Sequence, residues 1–230
     1  MKHRIAHAPT FTTLEFDLDE GDVVSAQPGC MLGMTTGLDV TAGAGTHMKG
    51  TGGLGRAARS MLAGESFFTA NYRAKRNGER LVLAPSEVGE VRGVEVKDGT
   101  HYFIATGAFL ACTSGVRLSL EYAGMKGLMA TRGLFLMRTT GEGTVFISSY
   151  GEFVEQSLAE GERFVLDNRY IVAFADTVRY ELVKVTSSLR HSYFSGEGLV
   201  NRFTGPGSLL YQTRGRSGRG FLRGILDFAT

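Results

Sequence analysis

Short stretches that alternate apolar and polar residues recur along the whole chain. The first covers residues 14–18, where acidic residues separate large apolar ones, and the clearest covers residues 116–122. Alternation with a period of two indicates β-strands that bury one face. Turns that contain glycine separate these stretches, so the pattern predicts an all-β protein. Chance similarity between glycine-rich turns is the alternative explanation for any repeat found among them.

Two kinds of segment follow one another three times. In the first kind an acidic residue and a glycine mark a turn, which we interpret as a hairpin, at Glu20-Gly21, Asp98-Gly99 and Glu160-Gly161. Ten residues after each of these glycines stands a large apolar residue, namely Met31, Phe109 or Ile171. In the second kind a glycine-rich turn joins two apolar strands, at Asn77-Gly78, Gly141-Glu142-Gly143 and Gly205-Pro206-Gly207.

This order predicts three internal repeats, at about residues 14–85, 92–150 and 155–213. A repeated unit that cannot bury its apolar face alone has to pack on its copies. We therefore expect a single β domain over residues 1–213, arranged as a pseudo-threefold, barrel-like β assembly that is closed or nearly closed and has few free edges.

Two segments lie outside the repeats. Residues 42–63 begin rich in glycine and continue with apolar residues at helical spacing, which predicts a short helix at about 54–62. Residues 214–230 form a basic C-terminal tail that we also expect to be partly helical. Within them, residues 49–62 and 214–228 are the predicted interaction surface, whose named residues are Arg56, Arg59, Arg216, Arg219, Phe221 and Arg223.

That surface suits a second copy of the chain, a protein partner or an anionic membrane surface. We expect a homo-oligomer, which would bury the apolar faces against a neighbouring subunit. In the competing interpretation, the same apolar faces pack back on the β domain of their own chain.

Composition narrows the protein class. The chain has 230 residues with 32 glycines, which fits a turn-rich β protein. Its net charge of +2 gives no reason to expect nucleic-acid binding. Cys30 and Cys112 lie far apart, so we expect buried, reduced thiols. No apolar run reaches a membrane-spanning length and the first residues lack a secretory pattern, so we expect a cytoplasmic protein.

The candidate chemical motifs are weak. Residues 50–55 match the pattern G-x-G-x-x-G, but no βαβ context surrounds them and no acidic residue follows at the ribose-binding distance, so we expect no cofactor. The five histidines contain no close His-x-His pair, so we expect no metal. Glu65 and Glu197 precede strands at corresponding places, but Arg132 lies in that region of the middle copy, so we expect no catalytic site.

Several motifs resemble the altered-inheritance-of-mitochondria-24 family, whose bacterial members form a conserved domain of unknown function. The strongest spans residues 196–214, with GEGLV followed by RFTGPG and QTR; others are GESFF at 64–68, GAFLA at 107–111, and GTVF with SSYG within 143–151. The chain departs from the family pattern at residues 130–133 and in the basic stretch 73–80.

The resemblance implies a fold similar to that of the tryptophan-RNA-binding attenuator protein, with three similar sheets around a pseudo-threefold axis. No motif for that protein's tryptophan or RNA contacts is present, so its ligands are not implied. The expected function is a non-enzymatic structural or interaction scaffold. The alternative is a β-barrel protein that binds a small ligand.

Overall fold

Nearly all of the regular secondary structure in the described chain is antiparallel β-structure. The computed structural model describes residues 1–44, 68–121, 136–184 and 199–215. Within them are nineteen strands and two 3₁₀ turns, Thr106–Ala108 and Asn168–Tyr170. The prediction of an all-β fold is confirmed. The helix predicted near 54–62 and most of the C-terminal tail lie outside the described residues.

The first third of the chain supplies β1 (Lys2–Ala6), β2 (Thr13–Leu18), β3 (Val23–Ala26), β4 (Met31–Met34), β5 (Leu38–Ala44), β6 (Phe68–Ala74) and β7 (Glu79–Leu83). The middle third supplies β8 (Val91–Val96), β9 (Tyr102–Ala105), β10 (Phe109–Thr113), β11 (Val116–Glu121), β12 (Leu136–Gly141) and β13 (Gly143–Ser148). The last third supplies β14 (Phe153–Leu158), β15 (Arg163–Leu166), β16 (Ile171–Ala175), β17 (Arg179–Lys184), β18 (Leu199–Thr204) and β19 (Gly207–Gln212).

These strands form four sheets. The first sheet has the order β1-β2-β7-β4, and the second has the order β5-β6-β3-β10-β13-β8. The third sheet has the order β11-β12-β9-β16-β19-β14, and the fourth has the order β15-β18-β17. The second and third sheets are therefore built alike, since each joins three strands of one third of the chain to three strands of the next.

The tight glycine turns connect different sheets, so our interpretation of them as hairpins is wrong. β8 and β9 flank Asp98-Gly99 but belong to the second and third sheets, and only the isolated pair Lys97 and Thr100 bridges the turn. Gly99 has a φ of 78°, which reverses the chain direction, but the following strand then pairs elsewhere. The turns between β2 and β3, β12 and β13, and β18 and β19 likewise lead from one sheet to another.

Each third of the chain supplies most of the residues of one hydrophobic core. The first core contains large side chains such as Phe16 and Leu81, and the second contains Phe109 and Ile147. The third core contains Phe203 and a smaller set of other buried residues. Burial of these apolar side chains is the main stabilising term for a β domain of this size.

Neighbouring thirds are joined by strand pairing at two places, which we call junctions. β3 pairs with β10 at the first junction, and β9 pairs with β16 at the second. By chain order, the matching strands for a third junction are β15 and β4. These strands instead end the fourth and first sheets, and among the described residues neither pairs on its outer side.

Candidate interaction surface

The edge strand β4 carries the same backbone irregularity as two buried strands. The pairing of β4 with β7 shifts register between Met31 and Gly33. The pairings of β10 with β13 and of β16 with β19 shift register at the corresponding residues. At each shift one extra residue forms a β-bulge. It has no partner on the neighbouring strand, and its side chain points in a direction that regular alternation would not give. The extra residues are Leu32, Leu110 and Val172.

These three bulge residues differ sharply in exposure. Leu110 and Val172 are 0% exposed, whereas Leu32 is 64% exposed. Leu110 belongs to the first core, so it fills the core of the preceding third of the chain. Val172 fills the second core in the same way. Leu32 has no preceding core within its own chain, and its flanking residues Met31 and Met34 are 42% and 40% exposed.

The other unpaired edge, β15, borders the least covered core. Val165 on this strand is 52% exposed, and its neighbours Phe164 and Leu166 are only partly buried against the third core. In the first junction the corresponding strand β3 buries Val24 and Ala26 completely. We define the open edge as strands β4 and β15 together. It is an apolar surface with free backbone hydrogen-bonding groups.

A network of charged side chains lies on the first sheet. Glu15 on β2 accepts hydrogen bonds from Arg4 at 2.6 Å and from Arg80 at 3.3 Å. The hydrogen bond from Arg4 lowers the pKa of the Glu15 carboxyl. This surface network lies on β1, β2 and β7, and exposed ion pairs of this kind contribute little to stability.

A second feature brings together the segments that lead into β2, β8 and β14. Gly89 bridges to Phe11 on one side and to Gly151 on the other, in parallel. The Gly151 N–H donates to the Val88 carbonyl at 2.8 Å, and the Ser149 N–H donates to the Glu90 carbonyl at 3.0 Å. Phe11, at one side of this bridge, is 73% exposed.

Glu79 is a buried carboxylate with a structural role. It accepts hydrogen bonds from the Thr35 hydroxyl, from Arg76 and from the Gly37 N–H, the last at 3.0 Å. The Thr35 hydroxyl and Arg76 are the main causes of the lowered pKa of Glu79. These bonds fix the loop between β4 and β5 against β7.

We predict that Glu79→Gln lowers the thermal midpoint at neutral pH. Because the pKa of Glu79 is lower in the folded state, its stabilising effect is present above the ordinary value of 4.5 and is lost as the pH falls through the folded-state pKa. The variant should therefore lose less stability than the parent on acidification. Circular dichroism melts at neutral and at acidic pH measure the thermal midpoint, with the exposed Glu160→Gln as control. Equal acid sensitivity of parent and Glu79→Gln would contradict the prediction.

Both cysteines are free and buried, as the sequence predicted. Burial raises the pKa of Cys30 to about 11 and that of Cys112 to about 12. Nucleophilic chemistry needs the thiolate, so neither group is prepared for it at neutral pH.

We predict that neither thiol reacts with a disulfide reagent in the folded protein, and that both react after unfolding in denaturant. At about pH 8 the thiolate fraction of Cys30 is only on the order of one in a thousand. The absorbance of the thiol that the reagent releases measures the extent of the reaction. Rapid reaction of either cysteine with the reagent in the folded protein would contradict the prediction, because it would show that this thiol is accessible.

The predicted interaction residues Arg56, Arg59, Arg216, Arg219, Phe221 and Arg223 all lie outside the described residues. Glu65, Arg132 and Glu197 lie outside them as well. Among the described histidines, His3 stacks edge-on against Phe146 with ring centroids 4.8 Å apart. In the described part of the chain no group of three potential metal ligands comes together.

A shallow groove forms where β8 meets the start of β13. Its lining includes Glu95, Lys97, Asp98 and Glu142, and it is open to solvent. Lys97 and Glu95 form an ion pair at 2.6 Å across its wall. The groove is therefore a polar surface depression between turns, unlike the enclosed apolar pocket that small ligands usually occupy.

Sequence comparison identifies the family. A family model described as mitochondrial biogenesis AIM24 matches residues 3–214, which is nearly the whole described β-structure. The chain belongs to this family. No helix in the described ranges has the length and apolar character needed to cross a bilayer. The family assignment agrees with the resemblance of the motifs at 196–214 and 64–68.

Relatives of this AIM24-family chain are known from bacteria. It is 30% identical over 216 residues to an uncharacterised protein of Streptococcus pyogenes serotype M6, covering 93% of this chain and 86% of that protein. It is also similar to the X-ray crystal structure of a Streptococcus pyogenes protein, with a TM-score of 0.75 and 29% identity. That similarity covers 100% of this chain and 99% of the other.

Proposed function

We propose that this AIM24-family protein is a non-enzymatic interaction scaffold whose interaction surface is the open edge. The observation that carries the proposal is the exposure of Leu32, whose counterparts Leu110 and Val172 are fully buried. A side chain held in a bulge and left in solvent costs hydrophobic free energy that a partner strand would recover.

The chemistry of the open edge supports this proposal. Natural proteins usually protect sheet edges with charged residues, prolines or very short strands. The outer edge of β4 is short, with four residues and a bulge, but it presents Met31, Leu32, Gly33 and Met34, with no charge and no proline. Its free N–H and C=O groups and apolar side chains suit a partner that adds an extended strand.

The environment of the titratable groups favours a structural role over catalysis. Glu79 is held by three donors, and both thiols have raised pKa values. The scaffold would work in the cytoplasm, where reducing conditions suit two free cysteines. The groove beside β8 gives little support to the alternative of a small-ligand-binding barrel, because its walls are charged.

The basic segments add a second contact in this proposal. Arg56 and Arg59, with Arg216, Arg219, Arg223 and Phe221, would bind a protein partner or an anionic membrane surface. Each basic residue near an anionic surface contributes up to about 1 kcal/mol. This contact stays a prediction from the sequence.

A photo-cross-linking side chain placed at residue 32 or 165 tests the proposed function in cells. The scaffold proposal expects one defined polypeptide, either a second copy of this chain or another protein, to be cross-linked from both positions. The matched control is residue 40, an exposed valine on β5, which belongs to the second sheet and not to the two sheets that carry the open edge. Binding of the identified partner to the purified protein should then be lost in Leu32→Lys. If the open edge yields no polypeptide beyond the residue 40 control, the scaffold proposal fails.

A further inference from the structure

We infer that the open edge binds a second copy of this chain. β4 of one copy would pair with β15 of the other, and the same pairing would form in reverse, so that two chains close two further junctions. This inference names a partner for the surface that carries the proposed function and therefore rests on it. The internal junctions β3–β10 and β9–β16 provide the template for the contact.

The register of the new pairing follows from the internal junctions. At the first junction Cys112, the second residue after the bulge, lies opposite Ser25. At the second junction the corresponding residue Phe174 lies opposite Phe103. The matching residue of β4 is Met34.

The matching residue of β15 is found from its pairing with β18. Phe103 pairs with Arg138, which lies three residues before the turn glycine Gly141. Val165 pairs with Arg202, which lies three residues before the turn glycine Gly205. Met34 of one copy should therefore lie opposite Val165 of the other.

The bulge residue gives the contact a specific fit. Leu110 enters the first core beside Ala26 and Cys30, and its carbonyl accepts the Gln27 N–H at 2.8 Å. By the same geometry Leu32 would enter the third core of the other copy. That core has incomplete cover at this end, since Phe164 and Leu166 are only partly buried.

The apolar residues of this contact carry no charge, and Asp167, which follows β15, is already paired with Arg169 at 3.0 Å. The residues brought together are Met31, Leu32 and Met34 on one side and Phe164, Val165 and Leu166 on the other. Burying these apolar side chains takes no charged group out of water, so the desolvation cost of the contact is low. The flanking Arg163 is exposed at the end of β15 and can stay in water.

A second copy satisfies both edges at once. Within one chain β4 and β15 end different sheets and are not paired with each other, whereas two copies related by a twofold axis supply each edge with its complement. The result is a closed dimer with no edge of this type left to recruit further chains.

The decisive experiment mixes two single-cysteine variants, Met34→Cys and Val165→Cys, under mild oxidation. Residues directly opposite on paired strands have Cα separations of about 4.5 to 5.5 Å, which a disulfide spans. The native thiols are buried and do not interfere. We expect a covalent heterodimer in the mixture, in large excess over the homodimers that each variant forms alone. A mixture without that excess overturns the inference, as does a double variant that cross-links only within one chain.

Light scattering gives a second, independent test with the full chain. We expect the parent to have twice the 24.8 kDa mass of one chain. Met34→Lys and Val165→Lys should each have the mass of a single chain, with a circular dichroism spectrum unchanged from the parent, which shows that they are folded. The control Val40→Lys should remain dimeric. A chain that ends at Gly215 should also remain dimeric, and a fall to monomer would show that the C-terminal tail, rather than the open edge, holds the copies together.

These outcomes separate the two proposals. Loss of the dimer in Met34→Lys, with only this chain cross-linked from residue 32, supports both the interaction surface and the self-pairing. A monomeric parent that cross-links a foreign polypeptide from residues 32 and 165 keeps the interaction surface and overturns the self-pairing, whereas a parent with no cross-link from either residue overturns both.

Discussion

Phe146→Ala is expected to lower the free energy of unfolding by about 3 to 5 kcal/mol. Phe146 is fully buried in the first core although it lies on β13, in the middle third of the chain. Its ring meets Phe16 edge-on with centroids 5.4 Å apart and also contacts His3. The substitution therefore opens a cavity between the first third and the middle third of the chain, and that cavity cannot collapse locally.

Urea unfolding followed by far-ultraviolet circular dichroism measures this loss. Phe11→Ala is the matched control, because that ring is mostly exposed and its removal should change stability by less than about 0.5 kcal/mol. If both variants unfolded at the same urea concentration, Phe146 would not occupy the core position described.

Gly89→Ala is expected to have the second large effect, a loss on the order of 3 kcal/mol or more. An added Cβ would lie 2.2 Å from the Ser149 carbonyl oxygen and 2.5 Å from the Gly151 carbonyl oxygen. Both are backbone atoms, so no side-chain rotation relieves the clash. Separating them breaks the hydrogen bonds that hold the segments before β8 and β14 together.

The control for this substitution is Gly33→Ala. Nothing lies within 4 Å of the Cβ position at Gly33, and the corresponding residues of β10 and β16 are Ala111 and Ala173. Its unfolding free energy should stay close to the parent value, measured by the same urea titration. A Gly89→Ala protein as stable as Gly33→Ala would show that the parallel bridges around Gly89 are not tightly packed.

The strands themselves were predictable from the sequence. The alternation at residues 14–18 matches β2, and that at 116–122 matches β11 within one residue. Half-buried strands are encoded locally, because their side chains alternate between a core and solvent. The equivalence of Met31, Phe109 and Ile171 was also visible, and all three lie at register shifts.

The partners of the strands were not predictable. Asp98-Gly99 specifies a tight reversal, but a turn sequence does not decide whether the next strand joins the same sheet or the opposite one. β8 pairs with β13, nearly fifty residues further on, because the two sheets of each core must face one another. Pairing at such separation depends on the whole packed core.

The open edge was missed for a related reason. The sequence predicted the interaction surface in the basic segments, from Arg56 and from Arg216 onward, because charge and helical spacing can be read locally. Leu32 and Leu110 look alike in the sequence, and only the pairing of β10 with β3 buries one of them. The predicted threefold repeat stays a prediction, and the recurring strand order of the second and third sheets gives it physical support.

Amide hydrogen exchange of strands β4 and β15 at increasing protein concentration tests the central claim most directly. The internal junction strands β9 and β10 serve as references within the same molecule. We predict rapid exchange of β4 and β15 in dilute solution and slower exchange as the concentration rises, while β9 and β10 stay protected throughout. Protection of β4 and β15 equal to that of β9 and β10 at every concentration would contradict the account, because the open edge would then be closed within a single chain.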